Sequence, residues 1–228
     1  MIQPLFAATL SVLIHTGALP EPGEATSQPQ QPPRTDQTAT PAAEPAAKLD
    51  QPLKVGDTFP SFTLRNEKGQ PVSLADRLAT GPVVITFYRG TWCPYCIKAL
   101  DTIEESIPEI NALGATVWAI SPQTPEYAVD LREKTGVSYE LLVDKDNKLA
   151  DRLALMFTID AATEQTYRTR YKLDVGKYNN SKSWQLPVPA TYVVDKDNKV
   201  RYAWTDKDYT KRAPVSEVLA ALKTITED

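Results

Sequence analysis

Residues 83–88, VVITFY, form an unbroken run of β-branched and aromatic side chains. A strand of this kind has no polar face to turn to water, so the surrounding chain must cover it on both sides. The flanking sequence has the right periodicities to do so. Ile97, Leu100, Ile103, Ile107, Ile110 and Leu113 recur at steps of three and four, the stripe of an amphipathic helix, with Pro108 predicting a kink near Ser106 or Ile107 and Gly114 a stop. Residues 116–120 read as a second strand, Thr124-Pro125 as the cap and first turn of a helix ending at Gly136, and residues 140–143 as a third strand followed by a short helix over 149–156. Residues 190–194 and 200–204 read as a hairpin, and Val215, Val218, Leu219 and Leu222 as a last helix. Near the start of this region, Phe62-Thr63-Leu64 and Val72-Ser73-Leu74 read as a short hairpin. The alternation predicts an α/β fold, a central mixed β-sheet flanked by helices.

This patterned region spans residues 51–228, and what precedes it is of another kind. The chain has 228 residues and 19 prolines against 9 glycines, with the prolines crowded toward the N-terminus. Residues 19–50 are rich in Pro, Ala, Gln, Thr and Glu and contain no aromatic side chain, a composition that predicts a disordered, rather extended linker. Residues 5–14, LFAATLSVLI, are too short to span a bilayer but match a signal-peptide core, and Thr16-Gly17-Ala18 gives a small-x-small cleavage pattern. Residues 1–18 are therefore expected to be a signal peptide or hydrophobic anchor, which places the chain in the periplasm or at the envelope; the alternative is a cytoplasmic protein. The formal net charge of -4 and the sequence pI near 5.2 offer no basic face for nucleic acid.

The hexapeptide VDKDNK occurs at 143–148 and again at 194–199, each time after an apolar strand. Neither copy has the glycine and the bidentate glutamate of a calcium loop, so both read as polar turns.

The chain's two cysteines are Cys93 and Cys96, in FYRGTWCPYC. A structural zinc site takes four ligands, and beyond this pair the sequence holds a single histidine, His15, within the N-terminal segment; no metal is expected. A bridge across so few residues removes little unfolded-state entropy, so a purely structural disulfide is a weak reading. Redox chemistry fits better. The pair stands where the central strand gives way to a helix, and there free backbone N–H groups and the helix dipole stabilise a thiolate. Pro94 suits the first helical turn, Arg89 adds positive charge as a thiolate partner or a surface charge, and Lys98 reads as a solvated helix position. Trp92 and Tyr95 read either as an apolar rim for a substrate or as local packing. The two sulfurs are spaced to close into a redox-active disulfide.

Leu186-Pro187-Val188-Pro189-Ala190-Thr191-Tyr192 sets Pro189 immediately before a strand, and here the chain resembles the thioredoxin superfamily, whose cis-proline at this place faces the CxxC pair; Pro187 is a competitor for the role. Within that superfamily residues 53–223 resemble the AhpC/TSA group of peroxiredoxin-like proteins. The likeness rests on Val55-Gly56-Asp57, Pro60 to Leu64, FYRGTWCPYC, GATVWAISP at 114–122, and Leu141 to Asp144. It implies a thioredoxin-like fold and a thiol-based antioxidant enzyme without metal or organic cofactor. Set on the peroxiredoxin pattern Pro-x-x-x-Thr-x-x-Cys, Arg89 replaces the proline, Cys93 the threonine, and Cys96 becomes the peroxidatic residue with Cys93 resolving. The thioredoxin pattern assigns the attack to Cys93 instead, and at its usual buried aspartate this chain has Phe87.

Three functions follow. The first is reduction of hydroperoxides through a sulfenic acid that is resolved to a Cys93–Cys96 disulfide and recycled by a thioredoxin-like electron donor. The second is thiol-disulfide exchange on protein disulfides with Cys93 attacking; the third is a redox-inactive binding module. Residues 157–188, with Tyr167, Tyr171, Tyr178 and Trp184, form a long connection that either walls the cysteine pocket, carries a partner surface, or packs on the sheet.

Overall fold

The computed structural model describes residues 47–227. The signal-peptide expectation for residues 1–18, and the linker expectation for residues 19–46, lie outside them. The end of the expected linker is already part of the domain: Leu49 donates its N–H to the Arg152 carbonyl at 2.8 Å and packs at the edge of the core.

The elements are β1 (Thr63–Asn66), β2 (Pro71–Ser73), α1 (Leu74–Leu78), β3 (Val83–Phe87), α2 (Pro94–Glu105), α3 (Ile107–Ala112), β4 (Thr116–Ser121), α4 (Pro125–Thr135), β5 (Glu140–Val143), α5 (Lys148–Arg152), β6 (Met156–Thr158), α6 (Ala161–Thr169), α7 (Val175–Asn179), β7 (Gln185–Pro187), β8 (Ala190–Val194), β9 (Val200–Thr205) and α8 (Val215–Glu227). Seven strands form one sheet in the order β2-β1-β5-β4-β3-β8-β9. The inner strands β3, β4 and β5 run parallel, whereas β8 joins β3, β9 joins β8 and β1 joins β5 antiparallel, which is the mixed sheet anticipated.

Every residue of β3 is buried, as an apolar run with no polar face requires. Its side chains alternate between two cores. Val83, Ile85 and Phe87 join Phe59, Leu74, Trp118 and Tyr192 on one face. Val84 and Tyr88 lie on the other, with Leu100, Val117, Leu141, Val193, Leu222 and both cysteines. Phe87 thus faces the layer opposite the cysteines, where it packs in an apolar core.

Two local expectations are corrected. The kinked helix over residues 97–113 is two helices, because Pro108 has no N–H to give and its ring crowds the carbonyl of Glu104; Ser106 ends α2 and begins α3. The helix expected over 149–156 stops at Arg152, where Ala154 turns to φ 56° and lets Met156 start β6. The connection at 157–188 is an ordered insert. It contains α6, α7 and the small β6–β7 pairing, and Ile159, Val175, Trp184 and Leu186 form a core of their own against Trp92. Both VDKDNK copies turn on their first aspartate: the Asp144 carboxylate accepts the N–H groups of Leu149 and Ala150, and Asp195 that of Lys199.

Ile120, fully buried in the middle of the sheet, measures how tightly that sheet is packed. Ile120→Ala is expected to cost about 2–5 kcal/mol of folding stability. Denaturant titration should show a lower midpoint with an unchanged slope; a loss below about 0.5 kcal/mol contradicts this packing.

Candidate active site

The site is built by the turn that carries the chain from β3 into α2. Tyr88 extends the strand by one hydrogen bond, from its N–H to the Ile120 carbonyl at 3.0 Å. Gly90 then adopts φ 155°, and a Cβ there would stand 2.5 Å from the indole nitrogen of Trp92, so the tight passage needs glycine. Buried Gln123 clamps the turn, accepting the Thr91 N–H at 2.7 Å and donating to the Thr91 hydroxyl at 3.1 Å.

Cys93 is the N-cap of α2. Pro94 in the first turn holds Cys93 extended, at φ -96° and ψ 107°, so its side chain folds over the helix start. There its Sγ takes the place of a serine or aspartate cap, accepting the Cys96 N–H at 3.4 Å. Cys96, one turn on, faces the same space. Both are free thiols with no exposed surface.

Two guanidiniums converge on them: Arg89 Nη2 lies 3.1 Å from Cys93 Sγ, and Arg212 Nη2 lies 3.0 Å from Cys96 Sγ. The consequences for the two thiols are opposite. Cys93 is brought down to about 5, chiefly by the hydrogen bond from the Cys96 thiol, then by the charge and hydrogen bond of Arg89 and the Cys96 backbone N–H, all working against burial. Cys96 is pushed up, first by burial, then by its bond to Cys93 and the negative charge there; the Arg212 charge opposes this. The two shifts run in opposite directions, so Cys93 is the sulfur that ionises more readily and Cys96 the one that keeps its proton longer.

The structure brings Arg89, Trp92, Cys93, Tyr95 and Cys96 together. Arg89 is 3% exposed and is Cys93's partner rather than a surface charge. Its Cζ lies 5.3 Å from the Trp92 ring and 4.0 Å from that of Tyr209. Trp92 is a wall of the site that also packs edge-on against Tyr167 of α6, 6.0 Å between ring centres, so the insert reaches the site through this contact. Tyr95 stands on the rim, 46% exposed, its ring 5.9 Å from Tyr209 in an edge contact. Lys98 is exposed on α2.

Pro189 is buried beside Ala190, whose register partner is Phe87, so it lies at the cysteine end of the sheet. The cis-proline expectation is corrected: among the described residues no peptide bond is cis. Val188 donates its N–H to the Leu155 carbonyl at 2.7 Å, and the chain continues extended from β7 into β8, a path open to the ordinary trans isomer. Pro187 belongs to β7, paired with Met156.

Arg212 and Tyr209 are the site residues that sequence reasoning missed. They come from the loop between β9 and α8, and Arg212 is 116 residues from Cys96 in sequence. No local pattern marks them. Among the described residues no group of three or more His, Cys, Asp or Glu side chains is placed to hold a metal ion.

The sequence profile of the AhpC/TSA family matches residues 55–203. A putative peroxiredoxin of Haemophilus influenzae is 34% identical over 104 residues, 46% of this chain and 66% of that one, so the match spans just under two thirds of that relative. A putative peroxiredoxin of Mycobacterium tuberculosis is 28% identical over 148 residues, 65% of this chain and 82% of that one. Among solved structures, peroxidoxin BcpB of M. tuberculosis superposes with a TM-score of 0.59 at 23% identity, covering 76% of this chain and 98% of that one. Xanthomonas campestris peroxiredoxin Q gives 0.58 at 21% identity, covering 78% and 99%. These two share the fold.

The charge on Cys93 depends on Arg89. Arg89→Gln is expected to move the Cys93 thiol upward from about 5, seen as a rightward shift of the pH profile for iodoacetamide alkylation. An unshifted profile in a folded variant excludes Arg89 as the partner of the thiolate.

Proposed function

The chain belongs to the AhpC/TSA family and has the thioredoxin-like fold, and on that premise we propose that it is a thiol peroxidase in which Cys93 attacks the hydroperoxide and Cys96 resolves. The observation that carries this reading is the buried pair itself: two free cysteines without exposed surface, each with a guanidinium within 3.1 Å of its sulfur. The Cys93 thiolate displaces the distal oxygen's partner, the O–O bond breaks, and Cys93 becomes a sulfenic acid while the alkoxide or hydroxide leaves. The leaving oxygen takes the proton held by Cys96. Arg212, 3.0 Å away, then stabilises the Cys96 thiolate. That thiolate attacks the Cys93 sulfur, expels hydroxide, which takes a proton from solvent, and closes the disulfide. In sum, two thiols and one hydroperoxide give a disulfide, an alcohol and water. An external dithiol protein of thioredoxin type returns the pair to the thiol form.

This assignment reverses the one implied by the peroxiredoxin motif. In that alignment Cys93 occupies the threonine position and Cys96 that of the attacking cysteine. Here the sulfur at the threonine position is the N-cap, and it collects the hydrogen bonds from Arg89, from the Cys96 thiol and from the Cys96 backbone. Thiol-disulfide exchange with protein substrates is the second reading, supported by the same N-cap cysteine followed by proline. A sulfur with no exposed surface disfavours it, because in-line attack on a protein disulfide needs far more room than attack on a small peroxide.

Stopped-flow oxidation by hydrogen peroxide separates these roles. Cys93→Ser should abolish rapid oxidation, whereas Cys96→Ser should keep the first step and accumulate a sulfenic acid that dimedone traps. The reverse pattern assigns the attack to Cys96, and slow oxidation of the wild type beside efficient insulin reduction favours the second reading.

The depressed Cys93 thiol sets the pH dependence. A lowered value keeps the thiolate populated down to about 5, so oxidation should be level between about pH 6 and 8 and fall about tenfold per unit below 5. A rate that climbs through pH 8–9 contradicts this, since it marks an ordinary thiol.

A further inference from the structure

The cysteine pair is roofed by the loop at residues 206–214, which joins β9 to α8 and has no regular structure of its own. At its start Asp206 donates its N–H to the Pro189 carbonyl at 3.3 Å, and at its end Pro214 enters α8 through carbonyl bonds to Glu217 and Val218. Between these anchors two residues tie it to the site. Arg212 Nη2 contacts Cys96 Sγ, and Tyr209 lies over the Arg89 guanidinium and against the Tyr95 ring. Other polar contacts of the loop are internal: Arg212 Nη1 donates to the carbonyls of Tyr209 and Lys211, Lys211 N–H to that of Asp208, and the Asp206 and Asp208 side chains cap their own turns.

We propose that this loop is a redox-released strap, latched by Arg212 while the pair carries its negative charge and freed when the Cys93–Cys96 disulfide forms, so that a dithiol protein can reach the disulfide between Tyr95 and Tyr209. The inference rests on the reading of the pair as a redox couple. In the thiol form the ionisable pair lies between two guanidiniums, Arg89 against Cys93 and Arg212 against Cys96. A disulfide is neutral, so its formation leaves Arg89 and Arg212 facing each other's charge in a site that excludes water. Arg89 is buried at the end of the central strand and has no room to leave; Arg212 is half-buried on a loop and has. Its departure removes one of the two ties and lets water in beneath Tyr209. Opening is also a steric requirement, because a reducing thiolate must approach one sulfur in line with the S–S bond, and both sulfurs are fully covered while the strap is closed. Tyr95 and Tyr209, 46% and 43% exposed, are the aromatic edges left for the partner to grip.

The strap contains three trypsin sites, Lys207, Lys211 and Arg212, and exposed Lys172 in the insert serves as the control. The full chain is oxidised with diamide, which takes up the two thiol hydrogens without any peroxide, and the disulfide is verified as the loss of those hydrogens by mass spectrometry. Oxidation is expected to speed cleavage within the strap at least about tenfold while leaving Lys172 unchanged, since cleavage tracks the open population. Arg212→Gln, and independently Tyr209→Ala, should give rapid strap cleavage in the thiol form and remove its dependence on redox state. Equal strap cleavage in the two states of the wild type, a matching rise at Lys172, or failure of diamide to form the disulfide overturns the proposal. A strap that responds to diamide in a protein that hydrogen peroxide does not oxidise supports the strap and refutes the peroxidase reading alone.

Discussion

One negative charge, buried where the central strand meets α2, organises this molecule's functional end. An anion there has no water to solvate it, so the fold supplies its solvation: the backbone N–H of Cys96, the Cys96 thiol, and the guanidinium of Arg89. Each donor has its own support. Gln123 pins the turn, glycine at 90 allows the close passage beside Trp92, and the aromatic rings of Trp92 and Tyr209 lie within cation–π distance of Arg89. The apolar core on this face of the sheet runs directly into the site, since both cysteines belong to it.

That burial also separates the two sulfurs chemically. Neighbouring thiols in water would titrate alike. Here the N-cap position gives Cys93 its donors, whereas Cys96 meets mostly apolar surroundings and the charge of its neighbour. The proposed peroxidase chemistry needs such a division, one sulfur that ionises readily to attack and one that keeps a proton to give to the leaving oxygen. The insert at 157–188 adds a wall through the Tyr167–Trp92 contact, and the β9–α8 loop adds a roof.

Much of this was legible from short-range patterns. The apolar run at 83–88, the stripe from Ile97 to Leu113 and the 190–204 hairpin are all local signals, and each became the expected type of element. Misreadings arose where one residue's backbone overrode periodicity. Pro108 turned a kink into a break, and Ala154 in the left-handed region ended a helix that its apolar neighbours seemed to prolong. Neither the trans bond at Pro189 nor the β6–β7 pairing within the insert has a periodic signature in the sequence.

The sequence by itself determined that a covered strand ends in a paired-cysteine turn at a helix start, because strand burial, the proline in the first turn and the i, i+3 spacing of the sulfurs act over a few residues. Only the tertiary structure sets the two sulfurs apart, lowering Cys93 and raising Cys96. That difference depends on desolvation and on guanidiniums at 3.0–3.1 Å, one of them Arg212, 116 residues from the cysteine it touches. Coulomb energies in a buried site follow distance in space and access to water, and neither quantity is written in the spacing of residues along the chain.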